Sequence, residues 1–424
     1  MVHPAGKLRV AISAIGYTVL ISPAYIPPQA GHQIVTISAL FAAYFGGVGV
    51  FIPFFPVWLQ SIGLSTGWIA VVVAAPLLVR VATTSLVSDW AERFGDPRRP
   101  LRVMALLALA LFALLPMAMV VPALTFLLAG PYPVLIIVAA MSVGWNAVLP
   151  LSDALAIQVS RATGAAYGRL RLWGSLAFIV VSTSVGWMVA TFGVGVVPWI
   201  ILAHLFAFYV VAILLPRAVV SKSESIIRKK RSGWLFFFRR KGAMSVFIGV
   251  ALIQASHAVL YSFGSLSWGQ QGFSESAIGV LWALGVAVEI ALFAVSKPII
   301  ARIGARGLLL VGGSGAVLRW IALATKPDLV LTIPLQVLHG FSFAMTFLAL
   351  IAYVERRARP NELRAAQGVF AVISGAIMGL ATLAAGPLFE AFGPVSYLAM
   401  AGMASIGTAV LLVNRLTVPA GLMP

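Results

Sequence analysis

The chain has 424 residues, of which 61% are hydrophobic and 9% charged, with a net charge of +18 and a mean hydropathy of +1.04. Soluble domains carry about 25% charged residues, so this composition excludes a water-soluble globule and makes lipid the solvent. Cysteine is absent, which excludes disulfides, thiolate metal sites and cysteine nucleophiles.

In chain order, Lys7 and Arg9 precede an apolar run, Val10 to Ser22, that superficially looks like a signal peptide. Its 13 residues are too few for a crossing, and Pro23, Pro27 and Pro28 end it. A crossing needs ~20 residues. Residues 1–33 are therefore expected to form an interfacial or disordered leader. Stretches of spanning length follow at 34–58, 67–88, 101–121, 133–160, 165–192 and 197–216. A second set occupies 244–268, 277–297, 307–325, 330–353, 366–388 and 394–414. The expected fold is all-α: a polytopic membrane protein with twelve transmembrane helices in two six-helix halves, 34–216 and 244–414.

Arginines punctuate alternate loops. Arg93, Arg98, Arg99 and Arg102 lie between spans two and three, and Arg161 near the bend between four and five. Arg302 and Arg306 lie between eight and nine; Arg356, Arg357, Arg359 and Arg364 lie between ten and eleven. Of the 29 Lys and Arg residues, 28 can lie on one side or within the spans, and only Lys326 must face the other side. Lys and Arg in short loops mark the cytoplasmic side, so both termini are expected there, in a cell inner (plasma) membrane. Residues 217–243, with Arg228-Lys229-Lys230-Arg231 and Arg239-Arg240-Lys241, read as a basic cytoplasmic linker, and 415–424 as a cytoplasmic tail. The positive charge is accounted for by these loops and anionic membrane lipid, not by nucleic acid.

A charge at the bilayer centre costs about 2.5–3.5 kcal/mol on insertion scales, so each one needs a partner or a watery cavity. Glu289 in span eight, Arg319 in span nine and His339 in span ten lie at matching depth and are expected to converge as a proton relay. A buried Glu289–Arg319 ion pair is the plainer alternative. His257, in span seven, is a substrate contact or a hydrogen-bonded packing residue, with Gln254 and Tyr261 on its face. In the first half, Asp153 lies in span four and Arg171 at the start of span five. Arg171, Ser175 and Phe178 follow i, i+4, i+7 spacing and present a charge, a hydroxyl and a ring as a small-molecule platform. Arg80 is deep enough in span two either to function in the interior or to snorkel to the surface.

The 6+6 division matches major facilitator transporters, whose halves rock around a central site. Three stretches resemble the phenylpropionate permease group of that superfamily: Leu151-Ser152-Asp153-Ala154-Leu155-Ala156, Tyr167-Gly168-Arg169-Leu170-Arg171-Leu172-Trp173-Gly174-Ser175 and Gln254-Ala255-Ser256-His257-Ala258. Gly279-Val280-Leu281-Trp282-Ala283-Leu284-Gly285-Val286 with Glu289 fits as well. The same positions are more distantly similar to lactose permeases. That resemblance implies a solute held by Asp153, Arg171 and Phe178, and protons handled by Glu289, Arg319 and His339. The acid one turn after the histidine in lactose permeases is here Ser342, which leaves Glu289 as the proton acceptor. Ser88-Asp89, Arg93-Phe94-Gly95 and Arg98-Arg99 look like a degenerate form of the superfamily's cytoplasmic loop. In it Asp89, Arg93 and Gly95 would change partners between rocking states.

The expected function is proton-coupled uptake of a small organic solute by alternating access. The nearer resemblance implies an aromatic carboxylate such as 3-phenylpropionate; sugar or nucleoside symport is the alternative. Drug efflux and a non-transporting receptor rank lower. Nothing indicates an enzyme: there is no metal-spaced His/Asp cluster and no phosphate-binding glycine loop. No cofactor is expected beyond the coupling proton, and a monomer is adequate.

Overall fold

Lipid offers no water to unpaired amides, so each crossing must close its own hydrogen bonds. Every regular element among the described residues is accordingly helical. The computed structural model describes residues 28–216, 242–357 and 363–413. The first half contains α1 (Pro28–Ser61), α2 (Thr66–Ala91), α3 (Arg98–Ala118), α4 (Pro131–Thr163), α5 (Tyr167–Phe192) and α6 (Val197–Leu214). The second contains α7 (Ala243–Gln270), α8 (Glu275–Ala294), α9 (Ser296–Ala324), α10 (Leu329–Arg356), α11 (Leu363–Phe392) and α12 (Tyr397–Val413).

Eleven described segments are long and apolar enough to cross a membrane. The last of them, Ala366–Val413, is 48 residues long and is broken at Gly393 (φ 53°) into α11 and α12, so the crossings number twelve. Residues 28–33, expected in the leader, instead open α1, where Pro28 stands in the first turn and its missing N–H costs nothing. The rest of that leader lies outside the described residues, as do nearly all of the basic linker, the C-terminal tail and Arg359.

Local chemistry sets the helix ends. The Ser65 and Ser274 hydroxyls accept from Trp68 N (3.5 Å) and Ala277 N (3.3 Å), and Asp328 Oδ1 accepts from Leu331 N (2.8 Å), at the starts of α2, α8 and α10. Gly164, at φ 74°, terminates α4 in the left-handed conformation that only glycine adopts cheaply. Gly304, at φ 65°, breaks α9 and sets apart residues 296–303, which carry Lys297 and Arg302, from the longer segment that carries Arg319.

The helix contacts repeat at an offset of six. In the first half α1 packs on α5 and α6, α2 on α4, and α3 on α4 and α6; in the second, α7 packs on α11 and α12, α8 on α10, and α9 on α10 and α12. The halves meet through α2 against α11, α5 against α8, and α1 against α7. Glycine makes these crossings close. A Cβ at Gly186 would strike the Glu275 backbone, and one at Gly279 would strike the Ser182 carbonyl. A Cβ at Gly386 would come within 2.8 Å of Ala70 Cβ and 3.1 Å of Gly67 Cα. Close by, Thr66 Oγ1 donates to Glu390 Oε2 at 3.0 Å. These contacts seal the end of the molecule opposite the arginine-bearing loops. Toward the arginine end, α2 exposes Arg80, Ala82, Thr84 and Ser85.

Candidate functional site

Two clusters of polar side chains, one in each half, form inside apolar helices. In the second half Arg319, near the end of α9, and His339, ten residues or about 15 Å into α10, are joined by Arg319 Nη1 to His339 Nδ1 at 3.0 Å. Glu289 Oε1 lies 2.9 Å from His339 Nε2. Helical side chains lean toward the N-terminus of their helix. Arg319 therefore reaches back down α9, and Glu289 back up α8, and both arrive at His339. Gln336, one turn before His339, accepts from Arg319 Nη2 at 2.8 Å. The guanidinium also lies 4.7 Å from the Trp320 ring centre.

The hydrogen-bond directions follow from the chemistry. A guanidinium has donors only, so His339 Nδ1 must accept. The single ring proton then sits on Nε2 and is donated to Glu289. His339 is thus a neutral link between a fixed cation and a carboxylate. The three ionisable groups expected to converge do meet, with His339 between the other two. Arg319 is fully buried and His339 is 6% exposed, so each depends on this chain of partners.

His257 joins this cluster and not the one in the first half. Its Nδ1 donates to the Gln254 carbonyl (3.0 Å), its Nε2 lies 3.1 Å from Ser342 Oγ, and its ring is 5.2 Å from that of His339. Both partners sit at breaks in their helices. α7 is interrupted between Ala255 and Ala258, and α10 carries a π-turn at Phe341–Met345. The Ser256 hydroxyl, at the α7 break, donates to the Ile253 carbonyl at 2.6 Å and accepts from Trp320 Nε1 at 2.8 Å. Such π-turns are frequent at functional sites.

In the first half Asp153 Oδ1 accepts from the Tyr167 hydroxyl at 2.8 Å, and Tyr167 stands one turn before Arg171 on α5. The Arg171 guanidinium lies over Phe45, 3.6 Å from the ring centre, and 5.3 Å from that of Phe41. Gly174 leaves room for this stack: a Cβ there would lie 2.7 Å from Phe45 Cδ2 and 3.0 Å from Arg171 Nη1. Tyr44 stacks on Trp145, with centres 4.4 Å apart. The rings nearest Arg171 thus come from α1. Phe178, expected beside it, is 6% exposed and packs against Gly49 inside the α1–α5 contact; Ser175 is half-buried one turn from Arg171. Arg80 is exposed on α2 and faces α11, where a Cβ on Gly375 would lie 3.4 Å from its Nη2.

At the arginine end Asp89 is exposed in the last turn of α2, and Arg93 and Gly95 are exposed in the turn that follows. The acid that orders this turn is Asp96, which receives the Arg98 backbone N–H (3.0 Å) and Nε (2.9 Å). The Arg98 side chain bonded to it holds the Asp96 carboxyl below the usual range. Arg102 donates to the Ala212 and Ile213 carbonyls at 2.9 and 2.8 Å, and Arg98 Nη1 to the Leu215 carbonyl at 3.3 Å. Tyr44, Phe45, Tyr167, Gln336 and Asp96 were missed by sequence reasoning. For Tyr167 and Gln336 the signal was available, since each lies one helical turn from a charge already singled out.

The MFS_1 like family model matches residues 34–399. The chain is 31% identical over 359 residues to a probable 3-phenylpropionic acid transporter of Escherichia coli (strain K12), covering 82% of this chain and 89% of that protein. It is 26% identical over 354 residues to maltose permease of Geobacillus stearothermophilus, covering 82% and 85%. Among solved structures, the nucleoside transporter NupG superposes with a TM-score of 0.76 at 16% identity, over 90% of this chain and 99% of that one. The D-xylose–proton symporter superposes with a TM-score of 0.66 at 13% identity, over 92% and 98%. Twelve crossings in two pseudo-equivalent halves, buried charges on facing helices and these matches agree: the chain belongs to the MFS_1 like family and is a multi-pass major facilitator transporter.

Proposed function

We propose that this transporter is a proton-coupled symporter of a small organic solute, favouring an aromatic carboxylate of the 3-phenylpropionate type. The observation that carries the reading is the buried chain from Arg319 through His339 to Glu289. It places an ionisable carboxylate deep in the second half, with one oxygen held by a neutral imidazole and the other left for a proton. Protonation there removes the counter-charge of Arg319, and that electrostatic change can bias the rocking of the halves. The first half supports the substrate class: Arg171 and Arg80 supply cations for a carboxylate, and Tyr44, Phe45 and Trp145 supply rings. The relative in Escherichia coli named for 3-phenylpropionic acid supports the same choice. In this reading the arginine loops face the cytoplasm and the structure is the inward-open state. The protein works in the inner membrane, as a monomer among its lipids, with the proton as its coupling ion.

A second reading has one observation in its favour. The Asp153–Tyr167 pair offers an acceptor and a hydroxyl of the kind that hold sugar or nucleoside hydroxyls.

The deciding experiment follows external pH in weakly buffered, energy-depleted cells after a pulse of 3-phenylpropionate, with vector-only and protonophore controls. Alkalinisation beyond the controls is expected, and Glu289→Gln should abolish it and pH-gradient-driven accumulation while substrate binding partly survives. Full accumulation by that variant would sink the proton assignment. No excess signal with 3-phenylpropionate, but a signal with a sugar or nucleoside, would favour the second reading.

A further inference from the structure

The His339 ring stands between the Arg319 guanidinium, 3.0 Å from its Nδ1, and the Glu289 carboxylate, 2.9 Å from its Nε2. A guanidinium separated from a buried carboxylate by a single ring would gain by pairing with it directly, because both partners of that bond are then charged. What holds the fork back is its other arm: Nη2 donates to Gln336 Oε1 at 2.8 Å, while Nη1 reaches His339 Nδ1 at 3.0 Å. Gln336 and His339 are three residues apart on α10 and share a face, so the two acceptors form one rigid receptor for the two arms. Gln336 is 2% exposed and Arg319 fully buried, so water does not compete for either bond.

We propose that Gln336 is the positioning residue of this cluster: by holding Arg319 on His339 Nδ1, it locks His339 in the Nε2–H tautomer and leaves Glu289 Oε2 as the proton-accepting atom. Without the Gln336 carbonyl oxygen, Nη2 becomes a buried donor without an acceptor, and the nearest charged acceptor is Glu289. Arg319 then turns to that carboxylate, Nδ1 loses its donor, and the ring is free to carry its proton on either nitrogen. The groups that bear on His339 are Glu289 from α8, Arg319 from α9, and His257 and Tyr261 from α7. Arg319 donates to Nδ1 and Glu289 accepts from Nε2, and both contacts favour the same tautomer; Gln336 holds the first, and an Arg319 turned onto Glu289 weakens the second as well. The consequence for coupling rests on Glu289 being the proton carrier; the tautomer does not.

The test is 15N NMR of the full chain labelled at its histidine ring nitrogens, in nanodiscs, with His339 assigned by loss of its signals in His339→Gln. Wild type is expected to show one neutral His339 species, protonated at Nε2. Gln336→Leu should give a mixture of tautomers, and Gln336→Glu, which retains the acceptor, should restore the single species. Should Gln336→Leu fail to fold, Gln336→Asn withdraws the acceptor by one methylene and is expected to give the same mixture. A single Nε2–H species in the Leu or Asn variant, or an Nδ1–H species in wild type, would overturn the proposal. In transport, Gln336→Leu should cut pH-gradient-driven accumulation at least tenfold while Gln336→Glu retains part of it. If the tautomers respond as expected but wild-type uptake ignores the pH gradient, the symport reading fails and the positioning role stands.

Discussion

Single side chains in this protein settle matters that the lipid leaves open. Arg102 is the plainest case. The last carbonyls of a helix have no partner within it, and side-chain donors from a neighbouring helix can supply one. Arg102 Nε and Nη2 reach the Ala212 and Ile213 carbonyls at the end of α6, with Arg98 on Leu215. These arginines read in the sequence as markers of sidedness, and the structure gives them a further task in tying α3 to α6. Arg102→Met keeps the aliphatic stem and removes the donors. Because the site is half-exposed, the expected loss is roughly 1–2 kcal/mol, toward the low end for charge-assisted bonds. A lowered unfolding midpoint in detergent would register it, and an unchanged midpoint would show that water replaces both bonds. Glu289, Arg319 and His339 were legible in the sequence because a charge inside an apolar stretch is conspicuous. Phe45 and Tyr44 were not, since one aromatic among many in a membrane span carries no signal until its neighbour is known.

At the scale of helices, glycine placement governs how the halves meet. α5 and α8 cross where Gly186 and Gly279 bring backbone onto backbone; α2 and α11 cross at Gly67 and Gly386. Helices in lipid gain little from apolar burial against one another, so close approach through small residues supplies much of the attraction. A side chain at either crossing should pry that end apart. Gly186→Leu is expected to lengthen and broaden the distance between spin labels at Gln60 and Gln270, which line one pocket at the sealed end. Labels that keep the wild-type distance would mean the crossing yields without opening. The broken helices belong to this scale as well. The interruption of α7 and the π-turn of α10 lie side by side through His257 and Ser342, and nothing in the local sequence marks the π-turn. His257 was left open between a substrate contact and a hydrogen-bonded packing residue, and the sequence did not show that α7 would turn it toward α10.

The whole molecule is two copies of one six-helix arrangement, closely joined at one end and, in the proposed reading, open at the other. The recurrence of helix pairs at an offset of six means that both halves solve the same packing problem. The open end is testable because the chain has no cysteine of its own. Thr84 lies one turn from Arg80 on the exposed side of α2. Thr84→Cys is expected to react with a membrane-impermeant maleimide in everted vesicles and not in intact cells. The opposite pattern would reverse the orientation inferred from the arginine loops. Equal reaction in both preparations would show that the two open states exchange freely.

The number of crossings, the division into halves and the arginine asymmetry were determined by the sequence alone. Membrane insertion is close to a sum over residues, with each apolar side chain lowering and each charge raising the cost of burial, so these properties can be read along the chain. The tertiary structure decided what pairs with what. These helices are apolar on nearly every face, so periodicity does not say which side looks inward. The rotation of α5 put Phe178 into the packing against Gly49 and gave Arg171 to Phe45. The joint rotation of α9 and α10 placed Gln336, an uncharged residue one helical turn from His339, in the position that holds Arg319. Partner choice depends on helix rotation and lateral contact, and those forces act only once the helices are assembled.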